Sequence, residues 1–279
     1  MGLVNRDDGW RIPDWLWERI EPLLPPRPEH PLGCHNPRVP DRDAMNAILL
    51  VLRTGMQWNA QRHRGLPLEF CPPALSRLGA GRGLPRDLAP GPARPRHRDR
   101  HRLVVAGGRR GDDQGDARWR TDGLQSHRQS QKGAKRSLLT EAAGIPIGIA
   151  HEGAQRHDKK LPEPTLASVP IGRPIPDQDH PQGLCLDRGF GVDDVRELAI
   201  RQRFEPHIRT RGEELALKER QPEWRPRRWV VEACHSWLNR NRALLIRWSK
   251  KEDNHLALLQ LASGLIAFKK AHAARTAPA

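Results

Sequence analysis

Two acidic residues in this sequence stand where chemistry could be done. Asp187 closes the short apolar run Leu184-Cys185-Leu186 and is followed by Arg188, Gly189 and Phe190. A carboxylate at a strand terminus, just before a glycine, is placed to point into a crevice. The plainer alternative is a turn aspartate that caps the next helix. Glu232 lies inside a helical pattern, Arg228-Trp229-Val230-Val231-Glu232-Ala233-Cys234-His235-Ser236-Trp237-Leu238-Asn239. Arg228 precedes it by four residues, so a carboxylate and a guanidinium share one helix face. A solvated ion pair is the plainer alternative there. Cys34-His35 and Cys234-His235 are metal ligands by type, but no second pair lies at zinc spacing, so zinc is not expected. Trp229, Trp237 and Trp248 could stack on bases, although their helical spacing favours core packing for most of them.

The elements that must position these residues follow from periodicity. Pro13 and Asp14 can open a helix carrying Trp15, Leu16, Ile20, Leu23 and Leu24, and Pro25 and Pro26 stop it. After a proline-rich loop, Asp41 or Asp43 caps a second helix with Met45, Ile48, Leu49 and Leu52 on one face, ending near Gly55. Two short amphipathic helices fit a DNA-docking unit, and fit equally a helical cap on a larger domain. Past residue 131, Arg136–Thr140 and Ile145–Ala150 resemble two strands joined at Ala143-Gly144. Leu184–Leu186 is a short strand ending at Asp187, and Asp193 can cap a helix bearing Val195, Leu198 and Ala199. Phe204–Ile208 reads as a strand, Arg227 to about Trp248 as a long helix, and Leu256–Phe268 as the last helix. Strands alternating with helices argue for an α/β domain.

Composition bounds the partners. The 279 residues include 48 Lys and Arg against 33 Asp and Glu, a formal charge of +15. A pI near 10.8 points to a polyanion, most simply nucleic acid. With 37% apolar and 29% charged residues, the chain can fold as one large domain or two ordinary ones. Its longest apolar run, Ala47–Leu52, is too short for a bilayer, and Asp7 and Asp8 interrupt any secretory pattern. No membrane partner is expected. Four scattered cysteines, Cys34, Cys71, Cys185 and Cys234, fit a reducing cytoplasm better than a disulfide framework.

Several stretches, in order, resemble the DDE transposases of bacterial insertion sequences, in the IS4 and IS5 assemblage. Arg227-Arg228-Trp229-Val230-Val231-Glu232 followed by His235-Ser236-Trp237-Leu238-Asn239-Arg240 is similar to that family's glutamate helix. Leu184 to Phe190 resembles its second-aspartate strand, with Phe190 where tyrosine is common. Gly133 to Thr140, Ala154-Gln155-Arg156-His157-Asp158, and Leu52-Arg53-Thr54-Gly55-Met56-Gln57-Trp58 in the helical leader also fit. The resemblance covers about 6–60 and 132–270, roughly seven tenths of the chain. It implies an RNase H-like α/β domain behind a helical N-terminal unit. It also implies an enzyme that cuts DNA strands and joins the freed 3′-hydroxyl to target DNA. Two Mg²⁺ ions would stabilise the attacking and leaving oxygens, held by three convergent carboxylates. Asp187 and Glu232 would be two of the three. Arg228 would orient Glu232 or meet a phosphate, and Arg240 and Arg242 would hold DNA. The implied partners are transposon ends, target DNA and further copies of the chain.

The third carboxylate should precede Gly133 by a few dozen residues, in a motif resembling Asp-Gly-x-Met-Thr-Lys. No such motif is present. Asp112, Asp113 and Asp116 lie in that neighbourhood but follow no convincing apolar strand. The whole of 61–131 differs from its flanks: 71 residues hold 10 glycines, seven prolines, 15 arginines, no lysine and seven acidic residues. That stretch contributes +8 of the net +15, so the total charge overstates the case for DNA. The genetic code supplies a reading. If the last two bases of each codon are joined to the first of the next, Asp112 to Gly115 permit Met-Thr-Lys, and Arg109-Arg110 permit Asp. Other family-like segments are permitted in the same frame from Phe70 to Gly79, His101 to Ala106 and Leu124 to Lys132. The expectation is therefore a frameshifted, poorly ordered segment at 61–131, between a helical unit at 1–60 and an RNase H-like domain at 132–279. The chain should lack the first metal ligand and its strand, and so be inactive in cleavage. The rival reading is a non-catalytic basic DNA-binding protein with 61–131 as a disordered arm. A further rival is an RNase H-like nuclease that cleaves without joining.

Overall fold

The computed structural model describes residues 11–24, 26, 39–58, 102–106, 110–111, 123–125, 128–153, 156–170, 172, 175–178, 181–187, 190–191, 193–209, 211–223, 228–249 and 251–276. Over 102–133, and at Arg211, Arg228 and 274–276, it describes the backbone alone. Cys34, His35, Cys71, Arg109, Asp112, Asp113, Asp116, Ala154, Gln155, Arg188, Gly189 and Arg227 lie outside the described residues.

The chain begins with two short helices that share their apolar faces. Helix α1 (Asp14–Ile20) starts on Pro13, whose carbonyl accepts from the Leu16 and Trp17 amides at 3.0 and 2.9 Å. It buries Leu16, Trp17 and Ile20. Helix α2 (Asp41–Thr54) is capped at its start by Pro40, not by Asp41 or Asp43, which lie in the first turn. There they lie at the positive end of the helix dipole, which favours acidic side chains. The helix ends as the sequence suggests, with Gly55 left-handed at φ 68° and its amide on the Val51 carbonyl at 2.8 Å. An added Cβ at Gly55 would lie 2.9 Å from the Arg242 Cβ, so both conformation and space require glycine. The Ile12 amide donates to Asn46 Oδ1 at 2.8 Å, and Arg42 pairs with Asp14, tying the two helices together.

Among the described residues, seven strands form one sheet. The long hairpin β4 (Arg128–Thr140) and β5 (Pro146–Gly153) turns at Gly144, which has φ 83°. Strand β1 (Arg102–Ala106) pairs antiparallel with β4, placing Val104 opposite Thr140 and Ala106 opposite Leu138. On its other side β1 runs parallel to β6 (Gly183–Leu186), with Val105 opposite Leu186. Parallel β7 (Glu205–Ile208) follows, reached through α4 (Asp193–Arg201). Short strands β2 (Arg110–Gly111) and β3 (Gly123–Gln125) also pair with β4. The path β5–β4–β1–β6–β7 puts two antiparallel pairings on one side of β1 and two parallel pairings on the other. This agrees with the expected α/β arrangement.

β1 corrects one expectation, that 61–131 would supply no central strand. Leu103-Val104-Val105-Ala106 is short, but a strand flanked on both sides needs only a short apolar, β-branched run. The remaining helices are α3 (Pro162–Ala167), α5 (Arg211–Arg220), α6 (Arg228–Asn239) and α7 (Glu252–Thr276). The single helix expected from Arg227 to Trp248 is corrected too. It stops at Asn239, and a 3₁₀ turn over Arg242–Leu244 follows. Asn241 is the cause: its backbone amide and its side-chain Nδ2 both turn back to the Leu238 carbonyl, at 2.9 and 3.3 Å. Asparagine competes with the helix in this way. Helix α7, expected over Leu256–Phe268, runs longer at both ends.

Two cores flank the sheet. The larger joins α2, β4, β5, α6 and α7 through Ile48, Leu52, Leu138, Val231, Leu238 and Leu258. The smaller lies by β6 and β7, with Leu184, Phe190, Val195 and Phe204. Helix α1 closes a third cluster against α2 and α7. Among the described residues, no helix is long and apolar enough to cross a membrane.

Candidate active site

Asp187 follows β6 directly, as its sequence suggested. The strand is fixed on both edges by β1 and β7, so its end is fixed as well. The Phe190 amide donates to the Asp187 carbonyl at 2.9 Å, and the buried Phe190 ring anchors this turn in the smaller core. The Asp187 side chain is half-buried at the carboxyl end of β6. A crevice beyond the carboxyl ends of parallel strands is where open α/β sheets bind ligands.

Glu232 stands on the second turn of α6, on the helix's exposed side. The opposite side is packed: Val230, Val231, Cys234, His235 and Leu238 are all buried. Helix α6 lies against β1, β4 and α7. The elements bearing Asp187 and Glu232 therefore meet β1 from two directions, one by strand pairing and one by packing. Arg228 opens α6, one turn before Glu232. Arg240 and Arg242 are exposed just past the helix end, beside rather than within the helix they were expected to share.

β1 is where the third carboxylate would be expected, and Arg102-Leu103-Val104-Val105-Ala106 contains no acidic residue. In kind, the Asp187 and Glu232 oxygens fit a hard divalent cation, but β1 offers it nothing. Among the described residues, Asp187 and Glu232 alone are an incomplete set for the Mg²⁺ pair implied by the resemblance, and Asp112, Asp113 and Asp116 lie outside those residues. Among the described residues, no three His, Cys, Asp or Glu side chains gather to hold a metal.

Several polar groups near the sheet carried no clear sequence signal. Lys135 Nζ donates to Asp158 Oδ1 at 2.7 Å and to the Arg156 carbonyl at 2.8 Å. The bond joins two of the stretches that carry the family resemblance, and that shared resemblance was its only trace. Arg136 is buried and its Nη2 donates to Asn239 Oδ1, tying β4 to the end of α6. Beneath lie His151 of β5 and His255 of α7, ring centroids 5.0 Å apart, with the buried Arg247 nearby. Burial, then the charges of Arg247 and Arg136, hold His151 down at about 4. Burial first, then the same neighbours and His151, lower His255 as well. His151 Nδ1 lies 3.4 Å from Glu252 Oε1. Cys234 is a core thiol pushed up by burial to about 12, which makes it inert.

The tryptophans correct another expectation. Only Trp237 of the three packs inward, with Lys270 Nζ 4.0 Å over its ring. Trp248 is 39% exposed and donates its indole N–H to the Gly55 carbonyl at 2.8 Å, while Trp229 is 61% exposed.

Comparison with known proteins follows the same two parts of the chain. A family model described as "Putative transposase of IS4/5 family" matches residues 12–74, and one described as "Transposase DDE domain" matches residues 97–266. Two proteins of Burkholderia cepacia are similar. "Putative transposase for insertion sequence element IS402" is 29% identical over 147 residues, 50% of this chain and 64% of that protein. "Insertion element IS402 uncharacterized 16.2 kDa protein" is 43% identical over 60 residues, 21% of this chain and 37% of that protein. The chain covers less than two thirds of the length of either relative.

Proposed function

The chain belongs to the DDE-domain transposases of the IS4/5 kind, and from that premise we propose that it descends from an insertion-sequence transposase and has lost strand cleavage. The carrying observation is β1: it lies beside β6, level with the approach to Asp187, and bears no carboxylate. In the ancestral reaction each step is an in-line displacement at a phosphorus. Mg²⁺ ions, when bound, stabilise the oxygens that attack and leave.

Asp187 and Glu232 are the two remaining metal-facing carboxylates in this reading. Arg228 orients Glu232 from the preceding turn, and Arg240 and Arg242 hold backbone phosphates. The α1–α2 pair contacts the transposon end, and copies of the chain assemble on the DNA. Removing one carboxylate of three leaves a poor site for a cation that dehydrates reluctantly.

The loss itself traces to translation of 61–131 out of frame. A short apolar strand can survive a frame change, whereas one particular aspartate cannot. The two family matches are separated by 75–96 alone, so a shift over 61–131 runs into matched sequence on both sides. The nucleotide sequence across codons 55–135 tests this: a shifted frame that encodes none of the missing motifs rules it out.

The function is tested by incubating the full chain with DNA bearing the element's ends and Mg²⁺ or Mn²⁺. Binding without strand cutting is expected. Robust cutting refutes the loss, and no binding to any DNA refutes the transposase lineage as a working activity. The non-catalytic DNA-binding alternative shares the first outcome but predicts steeply salt-dependent, sequence-indifferent affinity.

A further inference from the structure

Helix α6 carries a feature that metal-dependent cleavage does not use. Trp229, Glu232 and Ser236 are its exposed described positions, spaced three or four apart, and Arg240, the first residue past its end, continues the same stripe. Trp229 leads that stripe at 61% exposure. The other described tryptophans of this region are engaged: Trp248 on the Gly55 carbonyl, and Trp237 under the Lys270 ammonium. Among the described residues, the Trp229 indole has neither a hydrogen bond nor a ring contact. Arg240 and Arg242, exposed past the opposite, carboxyl end of the helix, have no ion pair among the described residues. An indole one turn from a carboxylate, with Arg240 continuing the line of the stripe past the helix end and Arg242 in the turn that follows, combines a stacking surface with cations for a phosphate backbone.

We propose that Trp229 is a stacking platform for an unpaired DNA base at the strand end addressed by Asp187 and Glu232. This rests on the transposase reading and extends it. A paired, stacked duplex offers a protein only base edges and phosphates. The face of a base becomes available where the strand frays or is single. An exposed indole therefore selects DNA whose end is open, while Arg240 and Arg242 hold the backbone without regard to pairing. Neighbouring positions on a helix face lie about 5–6 Å apart at Cβ, so the stacked base would sit next to the phosphate approached by Glu232.

The test compares a blunt duplex with the same duplex carrying a short single-stranded 3′ tail that contains 2-aminopurine, using the full chain. The wild type should bind the tailed DNA about tenfold more tightly than the blunt one and quench the 2-aminopurine. Trp229→Ala should remove that preference and the quenching while leaving blunt-duplex affinity unchanged. Trp229→Phe should keep most of both. Arg240→Ala should weaken binding to the two DNAs equally. The proposal is overturned if Trp229→Ala retains the preference. It is also overturned if the variant changes the sedimentation of the DNA-free protein, since the indole would then hold a second copy of the chain. If the wild type binds neither DNA, the transposase reading falls and the platform falls with it. If the wild type binds both equally, only the platform falls.

Discussion

β1 and β6 are neighbours, parallel, in register and similarly short. Both are apolar: Leu103-Val104-Val105-Ala106 in one, Leu184-Cys185-Leu186 in the other. One is followed by Asp187, the other by Gly107 and Gly108. The sheet accepts both, because pairing asks only for an extended apolar backbone with its amides and carbonyls satisfied on each side. A metal site asks for one residue type at one position. Fold is thus spread over many tolerant positions, and chemistry is concentrated in a few intolerant ones. Mutational decay can remove the second while leaving the first standing.

The largest effect comes from breaking the interior of β6 rather than its end. Leu184→Ala should cost about 2–5 kcal/mol in urea unfolding, since Leu184 is buried in the smaller core. Asp187→Asn, three residues on, keeps the side-chain shape and one acceptor oxygen and should cost clearly less than Leu184→Ala. Comparable losses from both substitutions would mean that Asp187 is structural.

On the other side of β1, acid should loosen the β5–α7 contact. His151 is held at about 4 against an ordinary 6.5, first by burial and then by Arg247 and Arg136. Its folded-state pKa is depressed, so its contribution is complete above pH 6.5 and is lost as pH falls through 4. The shift sets a ceiling of about 3 kcal/mol on that loss. The groups facing it are His255, Arg247, Arg136 and Glu252. His151→Leu should flatten the fall in melting temperature over this window, and an unchanged slope would remove His151 as its source.

The smallest effect sharpens the comparison itself. Ala106→Asp gives β1 the ending that β6 already has. The variant should gain about 1–2 kcal/mol of Mn²⁺-dependent thermal stabilisation that the parent chain lacks. No difference between the two would place the missing ligand elsewhere.

How much of this was legible depended on whether the cause was local. The α2 helix, its stop at Gly55, the β4–β5 hairpin and the β6–Asp187 junction all follow from patterns within a dozen residues. β1 was hidden because four apolar residues among arginines and glycines make a weak local signal, and its pairing with β4 and β6 decides the matter. The end of α6 was misread because apolar spacing continues through Leu245 and Trp248, while Asn241 breaks the helix by local hydrogen bonding. The Lys135–Asp158 bond and the His151–His255 contact join residues 23 and 104 positions apart, which no local pattern encodes. The exposure of Trp229 was misjudged because a hydrophobic residue on an amphipathic helix is normally on the packed side.

The larger core has one more consequence. Helices α1 and α2 bury their apolar faces against α7, near the far end of the chain, and Gly55 nests against Arg242 while its carbonyl receives the Trp248 indole. These contacts join described residues that lie on either side of the interval between Trp58 and Arg102. A nick or a ribosomal stop and restart anywhere in that interval would yield two polypeptides with complementary apolar surfaces. The gene could be split there, and its two products would still be halves of one body.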